Sequence, residues 1–138
     1  MPSTTDSRPF NSLVASLPRR DRVRFLQRCE PVDLILDRIL CSADEPYRHI
    51  YFPLTGLISL LAAITHYPAM EAGLIGREGM LGVTLILGVN AAPLSAIVQG
   101  RGTALRMTAR AFRHELGTCP PLLRTLSRYL YTLLAQLS

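Results

Sequence analysis

From Pro31 to Met107 the chain is a series of short apolar runs cut by proline and glycine, and this punctuation restricts the fold more than any other feature. The runs are rich in β-branched and aromatic residues, as in strands. Val32, Leu34 and Leu36 alternate with Asp33, Ile35 and Asp37, the period of a strand with one buried face. Ile39–Cys41 follows after a charged turn. Residues 49–53 and 56–61 read as a strand pair joined by a glycine turn. Residues 64–69, carrying His66 and Tyr67, read as a polar hairpin tip. A strand over 70–76 comes next, and 96–99 with 104–107 form a last hairpin around Gly100-Arg101-Gly102. About eight short strands with regular turns predict a closed or rolled antiparallel β-barrel.

Helical patterns flank this block. Phe10, Leu13, Val14 and Leu17 share the face of a first helix that Pro18 ends. Pro18 also opens a second helix, RRDRVRFLQRC, in which Val23, Phe25 and Leu26 turn inward and the arginines face water. Thr108 caps a short helix that Gly117 ends. A final helix runs from about Pro120 to Ser138, where Leu123, Leu126, Leu130, Leu133 and Leu137 recur at heptad spacing. Leu122, Tyr129 and Leu134 lie off that seam and can pack on the barrel. One seam then faces a second copy and the other faces home, which predicts a homodimer; the alternative is a single helix buried on its own barrel. Residues 1–8 are polar and expected to be disordered. They precede a domain over 9–118 and the dimerisation helix over 119–138.

With 138 residues the chain is one domain able to bury a core without metals or disulfides. Its mean hydropathy is positive, and 49–70 and 79–100 each lack Asp, Glu, Arg and Lys. Pro53, Thr55 and Gly56 interrupt the first stretch, and Asn90 and Pro93 the second, so no membrane span is expected. The polar N-terminus is no signal peptide. Cys29, Cys41 and Cys119 are odd in number and widely spaced, which points to a reducing, cytoplasmic compartment and to small buried hydrophobes. All fifteen basic residues are arginine. They are scattered apart from Arg19, Arg20, Arg22, Arg24 and Arg28, and a solvated helix face explains that group better than nucleic-acid binding. His49, His66 and His114 are dispersed, so no metal or haem site is expected.

The candidate site is 74–100, LIGREGMLGVTLILGVNAAPLSAIVQG. Gly76, Gly79, Gly82 and Gly88 permit positive φ and close backbone approach, and a helical turn opening near Gly79 would aim free N–H groups at an anion. This stretch resembles the phosphate-binding cassette of the cyclic-nucleotide-binding domain in Crp/Fnr-type bacterial transcription regulators. The helical lead NSLVASLPRRDRVRFLQRCEPVDL and the segment HIYFPLTGLISLL, after Asp44-Glu45-Pro46, are similar to that family as well. The resemblance implies a mainly β fold with flanking helices, an antiparallel β-barrel or jelly roll with a C-terminal dimerisation helix. In the family a glutamate holds the ribose and an arginine the cyclic phosphate. Registered on Gly82 and on Ser95-Ala96, these positions hold Val83 and Leu94, and both charged contacts are missing.

The ligand-binding candidates are therefore Gly79, Met80, Leu81, Gly82, Val83, Leu94, Ser95 and Ala96, in a cassette kept for shape and lost for cyclic AMP. The expected function is an effector-sensing, dimerising regulatory domain with no catalytic residues, no cofactor and an unnamed small-molecule effector. The family's iron–sulfur cysteine cluster is absent. DNA contact is expected only through a helix-turn-helix domain that this chain does not contain. The rivals are a free-standing dimerisation or small-ligand module and a cupin-like enzyme, the latter disfavoured because no H-x-H cluster occurs.

Overall fold

The structure is a computed structural model and describes residues 8–62 and 70–136. The expected hairpin tip with His66 and Tyr67, the first seven residues and Leu137 lie outside the described residues. In chain order the elements are α1 (Ser12–Ala15), α2 (Arg19–Arg28), β1 (Glu30–Leu34), β2 (Ile39–Cys41), β3 (His49–Pro53), β4 (Leu57–Ala62), β5 (Met70–Ile75), a 3-10 turn (Val83–Leu87), β6 (Ser95–Gly100), β7 (Gly102–Thr108), α3 (Ala109–Thr118) and α4 (Pro120–Gln136).

Among the described residues the strands form two antiparallel sheets, β1-β7-β3 and β2-β6-β4-β5. These pairings give two sheets and do not include closure into a ring. The strand existence read from the sequence holds, but two of the pairings do not. Residues 49–53 and 56–61 are not partners, because β3 lies in the first sheet and β4 in the second. The expected hairpin around Gly100–Gly102 is absent for the same reason: β6 belongs to the second sheet and β7 to the first. Instead β3 pairs with β7 and β4 with β6, so that 49–62 and 95–108 make one antiparallel ribbon bent across both sheets. At the bend, Leu54 and Thr55 donate their N–H groups to the Thr103 carbonyl at 2.9 and 3.1 Å. Gly56 has φ +82° there, and a side chain on Gly56 or Gly102 would run into the backbone of the opposite strand. Glycine at these positions lets two chains change sheets side by side, which to local pattern looks like two ordinary turns.

The helices cover the first sheet through Phe52 on β3. Its ring meets Phe25 of α2 edge-on at 5.5 Å and Phe112 of α3 at 6.5 Å between centroids. Only Phe25 of α2 is buried, while Val23 and Leu26 are exposed, contrary to the inward face expected for all three. The geometry explains this, since Val23 stands about 200° and Leu26 about 100° round the helix from Phe25. Two arginines of α2 face water as expected and also reach a buried partner. Arg24 and Arg28 approach the carboxylate of Glu115 on α3 at 3.7 and 3.4 Å, and Glu115 is 1% exposed. This ion cluster joins α2 to α3, because removing the arginines would leave the Glu115 carboxylate buried without a counter-charge.

Smaller corrections follow from caps and ends. Phe10 lies outside α1 and is exposed, with the Arg77 guanidinium 5.4 Å from its ring centroid, because Asn11 caps the helix after it. Leu36 is exposed rather than inward; β1 ends at Leu34, and Asp37 takes φ +68° in the turn that follows. Thr108 caps α3 as expected, its hydroxyl accepting from Ala111 N–H at 3.1 Å, and α3 runs one residue past Gly117. No helix among the described residues is long and apolar enough to cross a membrane.

Candidate functional site

The cassette leaves β5 and passes between the edge of β3 and the flank of α4. Its helical turn opens at Val83, after Gly82, and not near Gly79. Gly82 and Gly88 take positive φ, whereas Gly76 and Gly79 do not. At Gly82 the need for glycine is twofold, since φ is +107° and a Cβ would collide with the Ile50 side chain. The two halves of the cassette are held by different neighbours.

In the first half, every amide from Gly79 to Leu81 donates to the protein itself. Gly79 N–H goes to the Gly76 carbonyl at 3.1 Å, Met80 N–H to the Tyr129 hydroxyl of α4 at 3.3 Å, and Leu81 N–H to the Tyr51 carbonyl of β3 at 2.9 Å. The Tyr51 amide returns a bond to the Leu81 carbonyl at 3.2 Å, and the free edge of β3 is thereby paired. Asn11 fastens the same segment from below. Its buried amide group donates to the carbonyls of Pro53 and Gly79, both at 2.9 Å. Its oxygen meanwhile accepts from Leu13 and Val14 N–H at 3.0 and 3.3 Å. All of the side chain's hydrogen-bonding capacity is used, so one residue caps α1 and ties it to strand and cassette. Sequence reasoning missed Asn11, although an asparagine directly before an apolar helical run is the signal of such a cap.

In the second half, the Ser95 hydroxyl accepts from Ala43 N–H at 2.9 Å. Ala96 is fully buried in β6, and Leu94 is half-buried with its carbonyl 3.6 Å from the Cys41 sulfur. Met80, Leu81 and Val83 are buried apolar side chains of the core. All eight sequence-predicted site residues thus sit in or against the apolar interior, and Val83 and Leu94 bring no charge to it.

Burial, with the negative charge of Glu115 added, pushes the Cys29 thiol up to about 12, and burial pushes Cys41 up to about 11. Burial, and then the Glu78 charge, raise the Tyr129 phenol, partly opposed by its bond to Met80 N–H. Cys29, Cys41 and Cys119 are unpaired. The described residues include no cluster of three His, Cys, Asp or Glu side chains fit for a metal ion.

The predicted seam on α4 is divided. Leu126 is 0% exposed and, with Leu122, belongs to the core of its own domain. Leu130 and Leu133 are half-buried against that core, and Leu123 is exposed. Leu134, expected to pack on the barrel, is 57% exposed, and Tyr131 beside it is more so. Among the described residues the outer apolar stripe of α4 is therefore Leu123, Leu130 and Leu134.

No protein-family model and no curated protein matches the sequence. The fold has clear neighbours among solved structures, which are Crp/Fnr-type regulators and cyclic-nucleotide-binding domains. The N-terminal domain of a transcriptional regulator from Streptomyces coelicolor A3(2) superposes with a TM-score of 0.70 at 16% identity, over 93% of this chain and 92% of that one. The catabolite activator protein of Thermus thermophilus does so at 0.73 and 14% identity, over 90% of this chain and 58% of its own. A cyclic-nucleotide-binding domain from Methylobacillus flagellatus does so at 0.68 and 14% identity, over 90% of this chain and 73% of its own. The chain thus spans a little over half the length of the Thermus protein and nearly all of the Streptomyces domain.

Proposed function

We propose that this chain is the sensing and dimerising part of a regulator of the Crp/Fnr type, with a cassette that no longer takes cyclic AMP. The observation that carries this reading is the state of the cassette. Its Gly79, Met80 and Leu81 amides and its Ser95 hydroxyl bond to the protein, and Val83 and Leu94 stand where the resemblance places the charged contacts. A cyclic phosphate would have to displace those bonds without an arginine to compensate its desolvation. Isothermal titration with cyclic AMP and cyclic GMP tests it. No saturable binding is expected up to about 1 mM, the weak end of specific recognition; micromolar binding would overturn the reading.

The stripe of Leu123, Leu130 and Leu134 supports pairing of two copies along α4. An effector that favours one arrangement of the pair would then act through this helix by shifting a two-state equilibrium. The reading assigns the chain no catalytic step. It leaves specific DNA recognition to a domain other than this one, since scattered arginines supply a salt-sensitive, non-specific attraction. Three unpaired cysteines agree with a cytoplasmic setting.

A further inference from the structure

A groove of about 560 Å3 lies between α1, the β5–cassette junction and the flank of α4 from Thr125 to Gln136, apart from the closed interior of the cassette. Leu13, Leu74 and Leu133 supply its apolar lining, and Leu74 is 47% exposed. Two opposite charges stand on different walls, Glu78 in the first turn of the cassette and Arg128 on α4. Both are exposed, and they do not pair with each other. Among the described residues Arg128 has no ion pair, and a Glu78 oxygen accepts Gly76 N–H at 3.2 Å. Tyr129 joins the lining while its hydroxyl holds Met80 N–H. An occupant would touch three elements at once, one of them the helix proposed to pair.

We propose that this groove binds a free α-amino acid with an apolar side chain. The carboxylate would meet Arg128, the ammonium Glu78, and the side chain would cover Leu13, Leu74 and Leu133. The chemistry favours a zwitterion over the simpler amphiphiles. A fatty acid answers only Arg128 and an alkylamine only Glu78, so either forgoes one of the two charge-assisted contacts that the walls offer. A zwitterion of opposite polarity to the walls leaves neither charge alone. The proposal supplies an effector for the regulatory reading above and rests on it for the consequence, a shift of α4; the binding step is tested separately.

The test is isothermal titration of the whole chain with L-leucine, alongside leucinamide, which lacks the carboxylate, and 4-methylpentanoate, which lacks the ammonium. Leucine should bind saturably and both analogues at least about tenfold more weakly, a loss of one charge-assisted contact. Arg128→Gln should abolish the preference for leucine over leucinamide, and Glu78→Gln the preference over 4-methylpentanoate. Both residues are exposed, so the variants should fold, which circular dichroism checks. No leucine binding at about 10 mM, or binding that both variants leave unchanged, overturns the site. Light scattering on the same samples separates the two proposals. A dimer that fails to bind leucine sinks the amino-acid site alone, and a leucine-binding chain that stays monomeric sinks the dimeric reading alone.

Discussion

In the first half of α4, Leu122 and Leu126 are lost to solvent inside the domain; in the second half, Leu134 and Tyr131 stand out in it and a groove opens along the flank. Each half carries three leucines, Leu122, Leu123 and Leu126 in the first and Leu130, Leu133 and Leu134 in the second. What differs is the surface opposite. The helix lies against the 3-10 turn and α3, which offer apolar side chains such as Leu85 and Phe112, and Leu122 and Leu126 of the first half are its fully buried members. Beyond Tyr129, Leu130 and Leu133 still rest on the core, but the flank of the helix borders the groove whose other walls include Leu13, Leu74 and Glu78. A heptad of leucines is thus no single structural unit: its burial is set by what stands across from each turn, and Tyr129 marks the point where the two regimes meet.

The largest expected effect breaks this comparison directly. Leu126→Ala should destabilise the chain by about 2–5 kcal/mol, the cost of a methyl-lined cavity in a close-packed core. Leu134→Ala should change the stability of the monomer by no more than about 0.5 kcal/mol. Urea denaturation of the two variants under dilute conditions is the measurement, and equal losses would mean that the helix is not divided as described.

Next in size is Leu134→Glu, which on the two-fold pairing proposed here sets two carboxylates against an apolar stripe at a cost of several kcal/mol to association. A folded monomer is expected by light scattering, with an unchanged far-ultraviolet spectrum. Leu130→Glu should give the same monomer with lower stability, because Leu130 is half-buried on its own core. A Leu134→Glu chain that remains dimeric would place the contact elsewhere.

The smallest effect sharpens the boundary between the halves. Tyr129→Phe removes the acceptor of Met80 N–H and should cost about 1 kcal/mol. It should also speed hydrogen exchange at Met80 more than at Leu81, whose amide bonds to Tyr51 instead. Uniform exchange at both amides would deny Tyr129 its local role.

How far the candidate site was legible follows from where its information resides. The cassette's lack of charge could be read from Val83 and Leu94 alone, since residue type decides whether a phosphate has a counter-charge. That its amides are already occupied could not, because their partners, Tyr51 and Tyr129, lie far away in sequence. Glu115 shows the same limit. It reads as an ordinary surface glutamate of α3, and only the approach of Arg24 and Arg28 from α2 makes its burial tolerable.

Local chemistry was enough to determine the strands, their breaks, the caps at Pro18 and Thr108 and the mainly β character, because β-branched runs, proline and glycine act on their own backbone. The tertiary structure decided which strands pair and which leucines are buried. At Gly56 and Gly100–Gly102 the sequence shows turn residues, and these serve equally for a hairpin and for a ribbon that changes sheets. The choice belongs to backbone groups as distant as Leu54 and Thr103, whose hydrogen bonds exist only once the two sheets are assembled.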